Sequence, residues 1–168
     1  MVMLKLTEPI EPDRVSSINP SHRLVTEMSE TRIIYVSAGV LLRPDNSLLL
    51  ATRPSGKSMA GLWELPGGKI EPGETPESAL IREMGEELAV TLKREDLSPL
   101  TFASHGYDSF HLVMPVFLAR NWEGEPVPQE GQDVAWVKPE ALKTMPAPAA
   151  DVPLFDFLER HLTKHVGA

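Results

Sequence analysis

The sequence predicts an α/β or α+β fold, a mixed sheet with a few helices packed against it. Three observations point there. Strand-like and helix-like runs are interleaved without a regular repeat, the pattern of an α/β or α+β chain. The chain has 168 residues, the size of one domain of about 100–200 residues. With 42% apolar side chains it has enough material for a core.

Taken in order, residues 1–30 hold Pro9, Pro12 and Pro20 among scattered Ser and Thr and show no sustained periodicity. They read as a loosely attached N-terminal arm, with a single domain over 31–168; Met28 as the natural start is left open. Met1–Leu6 is too short for a signal-peptide core, and Glu8, Glu11 and Asp13 do not suit an acid-poor transit peptide. Ile33–Leu42 and Leu48–Ala51 are apolar, β-branched-rich runs separated by Pro44-Asp45-Asn46, hence strand, turn, strand. Ser55–Gly61 reads as a loop and Trp63–Pro66 as a short apolar stretch. Gly67-Gly68 and Pro72-Gly73 enclose a further loop. Thr75–Ala89 has helical spacing, with Leu80, Ile81, Met84 and Leu88 on one side. Thr75 is a good cap, and Pro76 sits where the helical N–H would be unsatisfied anyway. His111–Ala119 and Val134–Val137 read as strands, with a hairpin carrying Tyr107 and Phe110 between His105 and His111. Pro139–Thr144 is a short helical turn, and Asp151–Leu162 a closing helix with Val152, Phe155, Leu158 and Leu162 inward. Trp63, Trp122 and Trp136 are expected to pack in the core.

Sixteen basic and 24 acidic side chains leave a net charge of −8. That excludes general binding to nucleic acid or anionic lipid, both of which rest on a Lys/Arg excess. No apolar run approaches the roughly 20 residues that span a bilayer. The absence of cysteine removes disulfide scaffolds, thiolate metal sites and cysteine nucleophiles. The charge is unevenly placed: Glu64, Glu71, Glu74, Glu77, Glu83, Glu86 and Glu87 stand against only Lys69 and Arg82 between positions 64 and 90.

Glu83, Glu86 and Glu87 lie at i, i+3 and i+4 and share one helical face. Like charges at that spacing oppose the helix by roughly 0.2–0.5 kcal/mol per pair. Two readings follow. One is a solvated acidic face; the other is a site for a hard divalent cation, since Mg²⁺ takes oxygen ligands from one or two carboxylates plus substrate phosphates. The preceding Gly67-Gly68 turn and Lys69–Gly73 loop favour the second, because glycines let backbone approach a ligand closely. Glu74, at the helix start, suits the helix dipole and can pair with a base.

The segment from Gly68 to Val90 resembles the Nudix hydrolase family. The family box runs Gly, five residues, Glu, seven residues, Arg-Glu, an apolar residue, any residue, Glu-Glu, any residue, Gly, an apolar residue. Here Gly68, Glu74, Arg82, Glu83, Met84, Glu86, Glu87 and Val90 occupy its positions, and Ala89 stands where the family most often has Gly. Ala89 closes the helix, where Gly is favoured for its left-handed geometry, and carries no ligand atom. The resemblance extends over roughly residues 33–162 toward the MutT-type branch. It is carried there by Arg53, Gly61-Leu62-Trp63-Glu64-Leu65-Pro66, Trp122-Glu123-Gly124-Glu125-Pro126 and Glu130-Gly131-Gln132.

The resemblance implies an α/β/α sandwich with a mixed β-sheet and a cytoplasmic, metal-dependent enzyme, monomeric or homodimeric. Its expected reaction cleaves a nucleoside triphosphate to the monophosphate and pyrophosphate, with 8-oxo-dGTP as the first substrate and (d)CTP or another triphosphate as the alternative. A non-catalytic nucleotide sensor is a remote alternative, since such proteins usually lose box carboxylates and this chain keeps them. Mg²⁺, for which Mn²⁺ can substitute, would be held by Glu83, Glu86 and Glu87, the Gly67 carbonyl and Glu130, with Glu130 serving as late ligand or general base. Arg82 and Glu74 would brace loop against helix. Arg53 resembles the branch's nucleotide-contacting arginine, and Lys69 joins it as a substrate-binding residue. Asp151 stands where relatives that act on oxidised guanine often carry Asn. An ionised carboxylate only accepts hydrogen bonds and would favour a base offering an amino group, as cytosine or the guanine N1–N2 edge does. Asp is also a good helix cap, and the two roles are compatible.

Overall fold

Val40-Leu41-Leu42 and Leu48-Leu49-Leu50 place large apolar side chains at consecutive strand positions, so both faces of these strands need cover. A computed structural model, which describes residues 31–163, shows how they obtain it. The expected arm over residues 1–30 and the segment 164–168 lie outside the described residues. Among the described residues there are seven strands: β1 (Ile33–Leu41), β2 (Leu48–Thr52), β3 (Trp63–Glu64), β4 (Gly67–Lys69), β5 (Leu97–Tyr107), β6 (Phe110–Ala119) and β7 (Val134–Val137). The helices are α1 (Pro76–Leu88) and α2 (Val152–Thr163), with 3₁₀ turns at Arg94–Asp96 and Pro139–Thr144. A four-stranded sheet runs β4-β1-β6-β5 and a three-stranded sheet β3-β2-β7. The larger sheet is mixed, because β1 is parallel to β6 but antiparallel to β4.

Strand alternation sorts the apolar residues into two layers. Val40, Leu42, Leu48, Leu50 and Val116 pack with Phe155 and Leu158 of α2. Leu41, Leu49 and Phe117 pack with Leu80, Met84 and Leu88 of α1. The helices thus cover opposite faces in an α/β/α sandwich. The three tryptophans lie half-buried against these layers, Trp122 and Trp136 stacked 5.8 Å apart.

Helix α1 begins at a capping box: Thr75 Oγ1 accepts from the Ser78 N–H, and Ser78 Oγ accepts from the Thr75 N–H. Thirteen residues are marginal for an isolated helix. Its like-charged face weakens it further, so packing holds it, at about 1.5–3 kcal/mol for each large apolar side chain fully buried. Gly39 permits this packing, since a Cβ there would stand 2.6 Å from Met84 Cε. At the other end Ala89 adopts φ 55°, ψ 31°, with its N–H on the Gly85 carbonyl and the Val90 N–H on the Met84 carbonyl. This is the left-handed closure expected from its place in the box. Ala89→Gly is expected to raise stability by about 1 kcal/mol in urea unfolding, because the side chain strains this conformation. Equal or lower stability would show that the strain is relieved elsewhere. Gly85, also on α1, is exposed, and nothing in the structure explains its lack of a side chain.

Val152, expected inward on the closing helix, is exposed at the first position of α2, and Leu154 is buried in its stead. Two elements also differ from the expectation. Gly67–Lys69 is a short strand rather than loop, with Ala38 opposite Gly67 and Ser37 opposite Gly68. The expected hairpin is much longer than the histidines suggested: β5 pairs with β6 from Leu97 opposite Ala119 to Tyr107 opposite Phe110.

Candidate active site

The acidic face of α1, the β4 turn and the start of α2 meet around a cavity of about 520 Å³. Three groups of side chains surround it.

The first is built on Arg82. Its Nε and Nη2 grip both oxygens of Glu74 at 2.8 and 2.9 Å, and Nη1 donates to Glu83 at 2.7 Å and Glu86 at 3.1 Å. Nη2 also donates to the Lys69 carbonyl at 3.0 Å, which ties helix to turn. The guanidinium beside Glu74, with the Glu71 N–H, holds that carboxyl down to about 2. The expected pairing of Arg82 with Glu74 is therefore present, and the same guanidinium also orders Glu83.

Gly68 makes room for Glu83. A Cβ on Gly68 would lie 2.2–2.5 Å from the Glu83 carboxyl atoms. A Cβ on Gly67, at φ 150°, would lie 2.1 Å from the Ser37 carbonyl oxygen. The consequences differ, because Glu83 can swing away whereas the backbone cannot. Gly68→Ala is expected to remain folded, with a melting temperature within a few degrees of the parent, yet to lose at least tenfold in turnover as Glu83 is displaced. Retained turnover would separate the position of Glu83 from catalysis.

The second group is Glu87, Glu130 and Lys57. Glu87 is largely withdrawn from water and lines the cavity; burial, then the charges of Glu83 and Glu130, push its carboxyl up to about 7. Lys57 Nζ bridges to Glu130 Oε2 at 2.8 Å. The Glu130 N–H donates to Gln132 Oε1, and Gln132 Nε2 donates to the Glu87 carbonyl at the end of α1. Gln132 is only 5% exposed. Neither Lys57 nor Gln132 was singled out by sequence reasoning, since their contacts span 73 and 45 residues and leave no local periodicity.

The third group forms the floor. Arg53 donates from Nη1 to Glu64 at 2.6 Å and from Nε to the Ser58 carbonyl at 2.7 Å. Asp151 is 5% exposed and accepts a long hydrogen bond, 3.4 Å, from the Leu65 N–H. Burial, then the charge of Glu64, push its carboxyl up to about 7. Asp151 directly precedes α2 and its carbonyl accepts from the Phe155 N–H, but the expected side-chain cap is not made: its carboxyl accepts from the Leu65 N–H and lines the cavity.

Arg53, Lys69, Gly67, Glu83, Glu87 and Asp151 all line the cavity. Glu86 is exposed and paired with Arg82, and it and Glu130 stand outside the lining. His105 and His111 are elsewhere: His105 stacks edge-on with Tyr107, and His111 Nε2 lies 2.8 Å from Ser104 Oγ.

The family and relatives that this chain matches define an enzyme that hydrolyses phosphorus anhydrides. Residues 37–156 match the NUDIX domain, and the chain belongs to the Nudix hydrolase family. It is 32% identical over 127 residues to the 8-oxo-dGTP diphosphatase of Escherichia coli K12, covering 76% of this chain and 97% of that protein. It is 33% identical over 127 residues to the CTP pyrophosphohydrolase of the same strain, with 74% and 90% covered. A MutT structure from the study of Aliivibrio salmonicida and Vibrio cholerae superposes with a TM-score of 0.66 at 30% identity, covering 77% of this chain and 99% of that one.

Nudix hydrolases generally need a divalent metal; among the described residues no three His, Asp or Glu side chains converge as a ready-made cation site, and the donors that face the cavity fit one by their chemistry. They are oxygens, which suit hard cations. The half-buried Glu87 carboxyl, raised first by burial and then by the charges of Glu83 and Glu130, stands among negative charges that a cation would relieve.

Proposed function

We propose that this chain hydrolyses a nucleoside triphosphate to the monophosphate and pyrophosphate, with 8-oxo-dGTP in the nucleotide pool as its principal substrate. The supporting observation is that one cavity joins the metal-type carboxylates Glu83 and Glu87 to a buried polar floor at Asp151. It can thus take a polyphosphate at one end and a base at the other.

In this reading Glu83, Glu86, Glu87 and Glu130, with the Gly67 carbonyl, hold Mg²⁺, for which Mn²⁺ can substitute. The cation supplies charge neutralisation on the phosphates and a more acidic water. Arg53 and Lys69 bind substrate, Asp151 faces the base, and the Arg82–Glu74 pair keeps the turn seated on α1. Glu130 or a box glutamate accepts the proton of the attacking water. A new oxygen–phosphorus bond forms at the β-phosphorus as its bond to the α-phosphate oxygen breaks, releasing the nucleoside monophosphate.

The second reading is (d)CTP pyrophosphohydrolysis. Asp151 favours it, because an ionised carboxylate accepts from the cytosine amino group. Pyrophosphate release from 8-oxo-dGTP, dGTP, CTP and dCTP with Mg²⁺ decides between them. A kcat/KM highest for 8-oxo-dGTP supports the first reading, one highest for a cytidine nucleotide supports the second, and no release from any would overturn both.

A further inference from the structure

The geometry points to Lys57 as a triphosphate-binding side chain that Glu130 holds in reserve, the two exchanging partners when the site loads; this rests on the triphosphate hydrolase reading above. Lys57 Nζ and Glu130 Oε2 are 2.8 Å apart, in side chains 53% and 41% exposed. Such a pair is weak and easily exchanged. Lys57 also lines the cavity, close enough to Glu87 to feel its charge. Arg53 is differently placed: its Nε and Nη1 are already committed to Ser58 and Glu64, in a side chain 25% exposed.

Hydrogen bonds brace the backbone on both sides, which leaves side-chain rotation as the motion the exchange uses. The Lys57 loop is pinned at its neck by the Gly61 N–H on the Arg53 carbonyl and the Arg53 N–H on the Leu62 carbonyl. Glu130 is pinned by the buried Gln132, which bonds it to the end of α1. A lysine on its flexible four-carbon stem can follow a phosphate, while a carboxylate turns to a cation. Neither charge is then left unpaired. In the unloaded protein the ammonium offsets part of the acidic cluster, so it competes with cation for Glu130. It therefore acts oppositely on the two ligands.

The test is Lys57→Met in the full chain, with Lys57→Arg as the conservative variant. Lys57→Met is expected to raise the KM for the triphosphate roughly 10- to 100-fold with kcat within about threefold. Mn²⁺ binding without nucleotide, followed by calorimetry, is expected to tighten about two- to fivefold. Lys57→Arg should stay near the parent in both. If KM and Mn²⁺ affinity both stay within about twofold of the parent, or both weaken together, the exchange is overturned; the second outcome leaves Lys57 as a loop support. A parent protein that neither binds Mn²⁺ nor releases pyrophosphate would instead overturn the underlying functional reading, before any variant is compared.

Discussion

Glu87→Gln is expected to cut turnover roughly 100- to 10,000-fold while the chain stays folded, the range that losing several kcal/mol of transition-state charge stabilisation implies. The two side chains are nearly isosteric, and among the described residues none hydrogen-bonds to the Glu87 carboxyl, so packing around α1 is undisturbed. Its carboxylate is instead disfavoured where it stands, first by burial and then by Glu83 and Glu130. Without metal, the amide should therefore leave the melting temperature unchanged or higher. With Mn²⁺ the parent should gain stability by mass action, and the variant should gain less. Turnover near normal, or an unchanged Mn²⁺-induced shift, would remove Glu87 from the cation site. Loss of fold would point instead to a structural role.

Much of this site was legible because it is local. Glu83, Glu86 and Glu87 needed only the helical period to be placed on one face, and Thr75-Pro76 marked where the helix starts. The apolar, β-branched-rich runs Ile33–Leu42 and Leu48–Ala51, parted by Pro44-Asp45-Asn46, marked the first two strands. What was hidden lies in contacts between distant segments. Gly67-Gly68 carries no strand propensity, yet β1 pairs with it; a side chain at 67 would collide with the Ser37 backbone, while the lack of one at 68 leaves room for Glu83. Strand β5 contains Ser98, Pro99 and Gly106, weak strand formers that the ladder with β6 overrides. Lys57 and Gln132 read as loop residues until the fold brings them to Glu130. The placement of charge also resolves an apparent conflict. A chain of net charge −8 repels polyanions in general, but its acids are concentrated where cations can bridge them to phosphates.

Asp151→Asn carries the other large expected effect, and it is read on both stability and specificity. In the folded chain the Asp151 carboxyl is pushed from 3.8 to about 7, with burial and Glu64 outweighing the opposing Leu65 N–H and Arg53. The native state therefore holds a proton that the unfolded chain releases near pH 4. Stability attributable to this group must fall as pH rises from about 4 to 7, and the full cost is present above 7. Asn has no charge to bury and can still accept from the Leu65 N–H. The variant should match the parent near pH 4, lose the downward slope between pH 4 and 7, and be more stable at pH 8 by on the order of 2 kcal/mol. Parallel curves across that range would show that Asp151 is more solvated than its burial indicates. The same substitution bears on base choice. Near neutral pH the protonated fraction of Asp151 can donate to a carbonyl such as guanine O6, whereas the ionised fraction accepts only. Asn always offers both, so the ratio of kcat/KM for 8-oxo-dGTP over dCTP should rise in the variant, most at alkaline pH. Because that ratio cancels steps common to both substrates, an unchanged value would confine Asp151 to the cap of α2 and the floor of the cavity.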